Sequence, residues 1–572
     1  MKVDNSIYVF KTDVLVVGGG VSGLWAANHA REIVDQVLIV DKGPQDWGGL
    51  ASMSGGDMIA MQPEDNLADM LEDLVYYYDG LCEQDVLEDL LVQSHERFKD
   101  YERLGHKFAR DEKGKLLSIP QRGLSHIRCY LSRPYGEGGQ NMSRVLINEA
   151  ERLGIRRIGR ILITDIIKEK DSVVGAVGFN TQSGEPYAFQ AKAIILATGL
   201  GGWKNSYHQN TSTGEGIELA LKAGAELRNC EFIKVWNVPE KFAWEGQTGL
   251  LPKGARFLNA SGEDFMQRYS PKLGANTDPH YNVRGMAVEA REGRGPIYFD
   301  CSQMSPEDVE IMRPSRGWMK ANDEKLMKIG MDFFKQKIEW MPQVNMAQGG
   351  IMADIKGRTR VHGLFTSCRA RSLDTGVYMG GWSLCSTAVT GYIAGESAGR
   401  YAAARDDVEI PRELGRETVE LMLGPLGKEG ISPKDVVRAL QEIISPWDVS
   451  ILKTEKSLGR ALNQIEDLKV NVLPKMAASD PHYLLKYAEA RSMAVLAEIY
   501  LRASLMRKES RAGHFREDYP NRDNENWLRW IFVELKEGDL SFRTEPVPLN
   551  RYKIKPHRYY MDNFNFPQTN QG

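Results

Sequence analysis

Four apolar residues, Val14-Leu15-Val16-Val17, run directly into Gly18-Gly19-Gly20-Val21-Ser22-Gly23, and no other stretch restricts the fold as much. The 14–17 run is mostly β-branched and does not alternate, so it reads as a parallel strand buried on both faces. Gly18, Gly20 and Gly23 fit G-x-G-x-x-G: the first permits a tight turn, the second lets backbone approach a pyrophosphate, and the third lets a helix pack on the strand. That helix is expected from Leu24 to about Ile33, with its N-terminal N–H groups facing an anion. A second strand, Val37–Val40, ends in Asp41, the acid that follows such a turn by about 20 residues and accepts hydrogen bonds from an adenosine ribose. Strand, turn, helix, strand and acid in register identify a dinucleotide-binding α/β unit.

The chain of 572 residues allows about three or four domains. A net charge of −4 gives no reason to expect nucleic acid as a partner. No stretch reaches the ~18 apolar residues of a membrane span, and the first residues lack an apolar signal core. Six cysteines, at 82, 129, 230, 301, 368 and 385, are scattered without C-x-x-C. This spacing fits a reduced, cytoplasmic setting and argues against a metal site in this chain, iron–sulfur or zinc.

Small residues return at Ser54-Gly55-Gly56, where a loop can pass close under a flat ring. Helical spacing marks 64–105 and 143–153. Residues 161–190 read as a small β-meander (161–167, 173–180, 187–189), followed by a separate buried strand at 193–197 that runs into Thr198-Gly199. Thr213-Gly214-Glu215-Gly216 opens a helix that Gly224 closes. The organisation expected is a first segment over 1–235, an irregular Trp- and Pro-rich insertion over 236–344, a return to the first fold over 345–405, a helical bundle over 406–510, and an extended tail over 511–572.

These stretches, with Val361-His-Gly-Leu-Phe365, Gly380-Gly381-Trp382-Ser383-Leu384, Glu509-Ser510-Arg511 and Arg516-Glu517-Asp518-Tyr519-Pro520, occur in an order that resembles the flavoprotein subunits of the fumarate reductase/succinate dehydrogenase superfamily. Residues 282–298 are most similar to its adenylylsulfate reductase α-subunit branch. The resemblance implies a Rossmann-like FAD-binding domain split by an inserted α+β capping domain, then the bundle and tail. Carried over by motif, the FAD contacts are Gly18, Gly20, Ser22, Gly23, Asp41, Lys42, Ser54, Gly55, Gly56, Ala197, Thr198, Gly199, Ser383 and Leu384. The position of the His that carries covalent FAD in one branch falls near Gly49, so noncovalent FAD is expected.

In the dicarboxylate enzymes of the superfamily, two His and an Arg bind the substrate carboxylates and a second Arg moves a proton. The second Arg falls on Arg284; pairing with Glu289 or Glu292 is the alternative reading of that residue. The other positions depart. The first His falls near Trp236, the second on Asn345, the substrate Arg on Tyr378, and a Glu-x-x-Arg relay on Thr248 and Leu251. Losing those cations removes charge-assisted hydrogen bonds of about 1.5–3 kcal/mol each. Trp236, Tyr378 and Trp382 fit a larger, flatter substrate that can stack, with core packing the alternative. Arg369 would place a cation near the ring or the substrate, or else form a salt bridge. The expectation is an FAD-dependent oxidoreductase subunit exchanging a hydride at flavin N5 with a substrate other than fumarate or succinate. Its electron partner would be a separate iron–sulfur subunit, through which it could sit at a membrane edge. The alternatives are a relay or scaffold flavoprotein without its own substrate and an adenylylsulfate-reductase-like α subunit.

Overall fold

A computed structural model of the chain describes residues 2–3, 7–46, 48–133, 138–206, 211–242, 249–315, 317–373 and 375–566, with backbone alone at 2–3, 311, 312, 314, 315 and 317–322. The 14–17 run is the buried end of a longer strand, Ile7–Val17. Val37–Val40 and Pro186–Leu196 pair with it in parallel on its two sides, with Val14 opposite both Val37 and Ala193. Arg156–Ile158 extends the parallel sheet beyond Val37–Val40, and Leu364–Thr366 joins it beside Pro186–Leu196. Ile161–Glu169 and Ser172–Asn180 continue it on the other side as antiparallel strands.

The last strand of the meander and the following buried strand are therefore one element, Pro186–Leu196. Pro186–Leu196 pairs antiparallel with Ser172–Asn180 along its first half and runs parallel to Ile7–Val17 along its length. Gln190 and Lys192 look like a break in sequence. Lys192 instead points off the sheet, where its ammonium meets Asp13 (2.9 Å) and Asp407 (3.0 Å), so the strand continues.

The first helix, Val21–Ala30, starts three residues before the expected Leu24, directly at the Gly20 N-cap. It packs on the long helix Trp382–Ala403. Gly391 and Gly395 permit that approach: a Cβ there would meet Ser22 O at 2.5 Å and Ala26 O at 2.2 Å.

A second, wholly antiparallel sheet has the order Ile233–Pro239, Ile338–Ala347, Ile297–Asp300, Arg256–Leu258. The helix Pro279–Arg291 lies on Ile233–Pro239. Helices dominate from Arg412 to Met506: Arg412–Leu423, Pro433–Ile444, Trp447–Ser450, Glu455–Asp467 and Pro481–Met506. Ser432, Thr454 and Asp480 cap three of them by accepting hydrogen bonds from first-turn N–H groups.

The region after 511 is not simply extended. Arg529–Lys536 and Asp539–Pro546 form a hairpin that adds to Leu227–Arg228 and Gly350–Ile351 in a third sheet. Its two-residue turn, Glu537-Gly538, has φ of 54° and 91°, the mirror-type geometry that suits twisted hairpins. Among the described residues, no helix is long and apolar enough to cross a membrane.

Candidate active site

The glycine turn separates two kinds of constraint. A Cβ on Gly23 would lie 1.9 Å from Gly18 O, so Gly23 is required by the protein's own packing. A Cβ on Gly20 would meet nothing closer than Gly49 Cα at 3.7 Å and Gly48 O at 3.9 Å. The space at Gly20 is thus open, as a cradle for a group outside the chain requires. Across the sheet, Gly199 has no neighbour within 4 Å of such a Cβ. Thr198 Oγ1 beside it is buried and without a hydrogen-bond partner. Open backbone and an unsatisfied hydroxyl at the ends of two parallel strands fit a dinucleotide.

Asp41 sits at the end of the second strand. Its two oxygens accept from the backbone N–H groups of Gly19 and Gly43, both at 2.6 Å. This bracing fixes the carboxylate and leaves lone pairs for ribose hydroxyls. Lys42, expected as a cofactor contact, has its ammonium engaged within the chain. Its ammonium donates to Glu215 (2.6 Å), Thr213 (2.8 Å) and Glu489 (2.9 Å). An ammonium has three N–H bonds, and all three have protein acceptors. Burial opposes the charged form, but Glu215 and Glu489 outweigh it and hold the Lys42 amine above the ordinary lysine range.

Ser22 also faces inward, donating to Ser367 Oγ at 3.0 Å. Ser54 Oγ donates to Ala51 O and accepts from Gly56 N–H. Gly55 and Gly56 lie against the start of the helix Gly138–Arg152, where a Gly56 Cβ would be 2.2 Å from the Gly138 backbone. Ala197 closes the Pro186–Leu196 strand, its N–H donating to Val17 O at 2.8 Å. Ser383 and Leu384 lie in the first turn of Trp382–Ala403. Burial pushes the Cys385 thiol one residue on up to about 12, an unreactive state.

Arg369 reaches this same point. It donates to Ser383 Oγ (2.7 Å) and Gln348 Oε1 (2.8 Å), while Gln348 Nε2 is buried without a partner. Trp382 Nε1 and Asn345 Oδ1 are likewise buried and unpartnered, although Asn345 Nδ2 donates to Ser206 Oγ at 3.1 Å. Trp236 meets Tyr378 edge-on at 4.6 Å, and the Lys234 ammonium lies 4.3 Å and 4.4 Å from the two rings. Among the described residues, Trp236 Nε1 has no hydrogen-bond partner. The structure thus joins Trp236 to Tyr378, and Arg369 to Ser383.

Arg284 lies on Pro279–Arg291 and is 3% exposed. Its Nη2 donates to Ala512 O (2.6 Å), and its guanidinium lies over the Tyr281 and Phe515 rings at 4.5 and 4.9 Å. Neither Glu289 nor Glu292 pairs with it. Glu289 is held by Arg294 and Arg268, and Glu292 by Arg294. Burial lowers Arg284 below the ordinary arginine value, opposed by Tyr281, Asp278 and Asp79. Among the described residues, no hydrogen bond or ring contact joins Arg284 to Trp236, Tyr378, Asn345, Trp382 or Arg369. Of the relay positions, Leu251 lies in a short turn at Leu251–Lys253, and Thr248 falls outside the described residues.

Two features went wholly or partly unread in sequence. Asp278 caps the Arg284 helix, accepts from Tyr77 OH and Tyr378 N–H (both 2.7 Å), and contacts His280 Nδ1 at 3.0 Å. It therefore ties the Tyr378 loop to the helix of Arg284. Behind Arg284 lies a buried basic cluster with Lys453, Arg507, Arg511, His514 and Arg516, each at most 1% exposed. Only the Glu-Ser-Arg and Arg516 elements were visible as motifs.

Residues 13–367 match the FAD binding domain family, and residues 438–560 match the fumarate reductase flavoprotein C-terminal family. A chain of the fumarate reductase (CoM/CoB) of Methanothermobacter marburgensis is 29% identical over 555 residues, spanning 92% of this chain and 98% of that protein. The fold superposes on quinol fumarate reductase of E. coli with a TM-score of 0.86 at 22% identity, covering 97% of this chain and 99% of the other. Adenylylsulfate reductase from Archaeoglobus fulgidus gives a TM-score of 0.81 at 20% identity, covering 96% and 98%.

Proposed function

Because this chain belongs to the FAD-dependent fumarate reductase/succinate dehydrogenase flavoprotein family, we propose that it is the substrate-converting subunit of an oxidoreductase that acts on a flatter, more apolar substrate than fumarate or succinate. The observation that carries this reading is the Trp236–Tyr378 pair, edge to face at 4.6 Å. These rings stand at positions where the dicarboxylate enzymes place a carboxylate-binding His and Arg. An aromatic pair offers ring faces to a planar substrate in place of a His and an Arg, and the cation beside it is the Lys234 ammonium over both rings.

Bound FAD supplies hydride exchange with the substrate. The chain's residues do the remainder. Gly18, Gly20, Thr198, Gly199 and Asp41 hold the dinucleotide, and Arg369 braces Ser383 at the start of its helix. Arg284 holds the proton delivered to the substrate carbon that does not receive the hydride. Its burial lowers proton affinity toward that task. Noncovalent FAD is supported by His95, the nearest histidine in the 30–100 stretch, whose Nδ1 sits against Met61 O instead.

We read residues 1–235 with 345–405 as the FAD-binding domain, 236–344 as the cap, 406–510 as the bundle and 511–572 as the tail. The separate antiparallel sheet within 233–347 supports the second of these. Six free thiols support a reduced, cytoplasmic compartment. A separate iron–sulfur protein is the electron partner proposed.

The test is anaerobic. The FAD-loaded chain is reduced with dithionite, and flavin absorbance is followed on adding trans-cinnamate, fumarate or adenylylsulfate. Reoxidation by cinnamate and not by fumarate is expected. Reoxidation by fumarate overturns the altered-pocket reading, and reoxidation by adenylylsulfate alone replaces it with sulfur chemistry.

A further inference from the structure

The chain from Ile554 to Phe566 lies across two parts of the protein. Up to Asn563 it is fixed to the first segment. Ile554 exchanges two hydrogen bonds with the Gln84 side chain, at 2.7 and 3.1 Å. Arg558 pairs with Glu72 (3.2 Å) and Asp73 (3.5 Å). Met561 N–H donates to Asp79 Oδ1 at 3.0 Å, and Asn563 Nδ2 donates to Tyr76 OH at 2.6 Å. The next three residues lie on 236–344 instead. Phe564 stacks on Tyr281 of the helix Pro279–Arg291, with ring centres 3.5 Å apart and planes within 8°. Asn565 N–H donates to Tyr269 O at 2.8 Å, and the Phe566 ring stacks on Tyr269 at 5.3 Å.

Tyr560 stands at the crossing and is wholly buried. Its hydroxyl accepts from Asp278 N–H (3.2 Å) and lies 3.1 Å from Thr277 Oγ1 on the 236–344 side. On the other side it lies 3.3 Å from Arg122 O, and its ring meets Tyr77 edge-on at 4.7 Å. One side chain thus touches both parts. Asp278, whose N–H it receives, also caps the helix Pro279–Arg291 and accepts from Tyr378 N–H. Trp236 comes to Tyr378 across the same boundary. The contact that fixes the helix therefore lies one residue link from the ring pair of the proposed site.

We propose that 558–566 is a strap that holds the helix Pro279–Arg291, and with it the cap, closed on the FAD-binding segment, with Tyr560 as its latch. The inference rests on the reading of 236–344 as a cap. Trp236, Asn345, Gln348 and Trp382 are each at most 3% exposed, so a substrate reaches them when the cap is displaced. Displacement begins at the cap end of the strap. There the contacts are ring faces and one backbone hydrogen bond, whereas 558–563 carries ion pairs and hydrogen bonds to Asp79 and Tyr76. Once Phe564 to Phe566 peel away, only Tyr560 and the direct Asp278 contacts hold the helix. With the strap seated, Asp278 keeps the Tyr378 backbone beside Trp236. Closing the cap and assembling the ring pair are then one event, and only hydrogen bonds and ring contacts change.

The test needs no substrate. Nitroxide labels are placed on the FAD-loaded full chain at Lys113→Cys, exposed in the first segment, paired with Lys272→Cys or Lys337→Cys, both exposed in 236–344. The background carries Cys368→Ser, because the other five thiols are buried. Phe564→Ala with Phe566→Ala removes the ring contacts, and Tyr560→Phe keeps the ring but removes the hydroxyl. Electron–electron resonance distances gain a longer component in both variants and at both label pairs. Amide exchange in Pro279–Arg291 speeds up at least about tenfold, while Val37–Val40 exchanges as in wild type. Unchanged distances in variants with full flavin content overturn the strap, even if exchange rises. Longer distances to Lys272 alone uphold the strap on the helix and overturn the reading of 236–344 as one cap. If the double variant does not load FAD, Tyr560→Phe decides: a distance distribution identical to wild type overturns the proposal.

Discussion

Ser22 Oγ donates to Ser367 Oγ at 3.0 Å across 345 residues of chain, joining the first turn of the glycine-loop helix to the end of the Leu364–Thr366 strand. Both hydroxyls are buried. Ser22→Ala leaves Ser367 without this partner, at a cost of about 1–3 kcal/mol. The double variant Ser22→Ala with Ser367→Ala costs less than the sum of the singles, because the unpaired hydroxyl is gone. Denaturant midpoints of the FAD-loaded variants measure that coupling, and additive losses would mean the hydroxyls act independently.

Gly20 and Gly23 separate cofactor binding from folding. Gly23→Ala drives a methyl to 1.9 Å from Gly18 O, a backbone atom that cannot move aside, so this variant does not load FAD and melts early. Gly20→Ala meets no protein atom inside 3.7 Å. It keeps a melting temperature close to that of the wild-type apoprotein but binds FAD at least about tenfold more weakly, since the methyl fills the space a pyrophosphate approaches. Flavin fluorescence titration beside apoprotein melting distinguishes the two. Equal FAD affinity in Gly20→Ala and wild type would remove Gly20 from the cofactor site.

Glu489 ties the helical region to the nucleotide loop through Lys42 (2.9 Å) and Lys204 (2.6 Å). Burial pushes its carboxyl up, but the two ammonium groups outweigh that and hold it below the ordinary carboxylate value. A carboxyl lowered by folding contributes stability that is present above its unfolded pKa, about 4.3, and is lost as pH falls through the folded value. Glu489→Gln therefore costs up to about 3–5 kcal/mol at pH 7, because two cations lose a buried partner. It also flattens the loss of stability below about pH 4. Amide exchange in Pro481–Met506 at pH 7 and pH 4 reads both effects. A variant as acid-sensitive as wild type would show that other carboxylates govern the transition.

The nucleotide unit was legible because its signals are local. The 14–17 run, the spacing of Gly18, Gly20 and Gly23, and the Asp41 terminus lie within one short stretch, and each encodes a backbone requirement. Lys192 misled because a charged residue inside a strand reads as a break unless its partners, Asp13 and Asp407, are known. The Arg529–Lys536 hairpin was hidden in the same way, since its first partner strand, Leu227–Arg228, is too short to register as a pattern. The Lys453–His514 contact spans 61 residues, and the Arg507–Glu231 pair spans 276. Such pairs have no spacing rule, so only the packed chain reveals them. The partners of Lys42 are of this kind too: its position follows the pattern, and its ammonium is held by acids from two other segments.

Arg284 is the residue to which the proposed reaction assigns proton delivery, and its surroundings make a clean substitution possible. Its Nη2 donates to Ala512 O, and its guanidinium lies over two rings, Tyr281 and Phe515. Arg284→Lys keeps the charge and much of the aliphatic stem but loses the planar fork that lies against both rings. The variant therefore loads FAD normally, and dithionite reduces its flavin at the wild-type rate, because neither process needs the proton Arg284 holds. On the proposed mechanism, reoxidation by an acceptor needs that proton in the transition state. It slows by about 10²–10⁴-fold, the range for loss of a positioned acid. Stopped-flow absorbance on reduced protein gives the rate directly, and the ratio of reduction to reoxidation rates removes any change in active fraction. If both rates fall together, Arg284 is part of the scaffold that holds the 512–515 loop. If reoxidation alone falls, Arg284 delivers the proton.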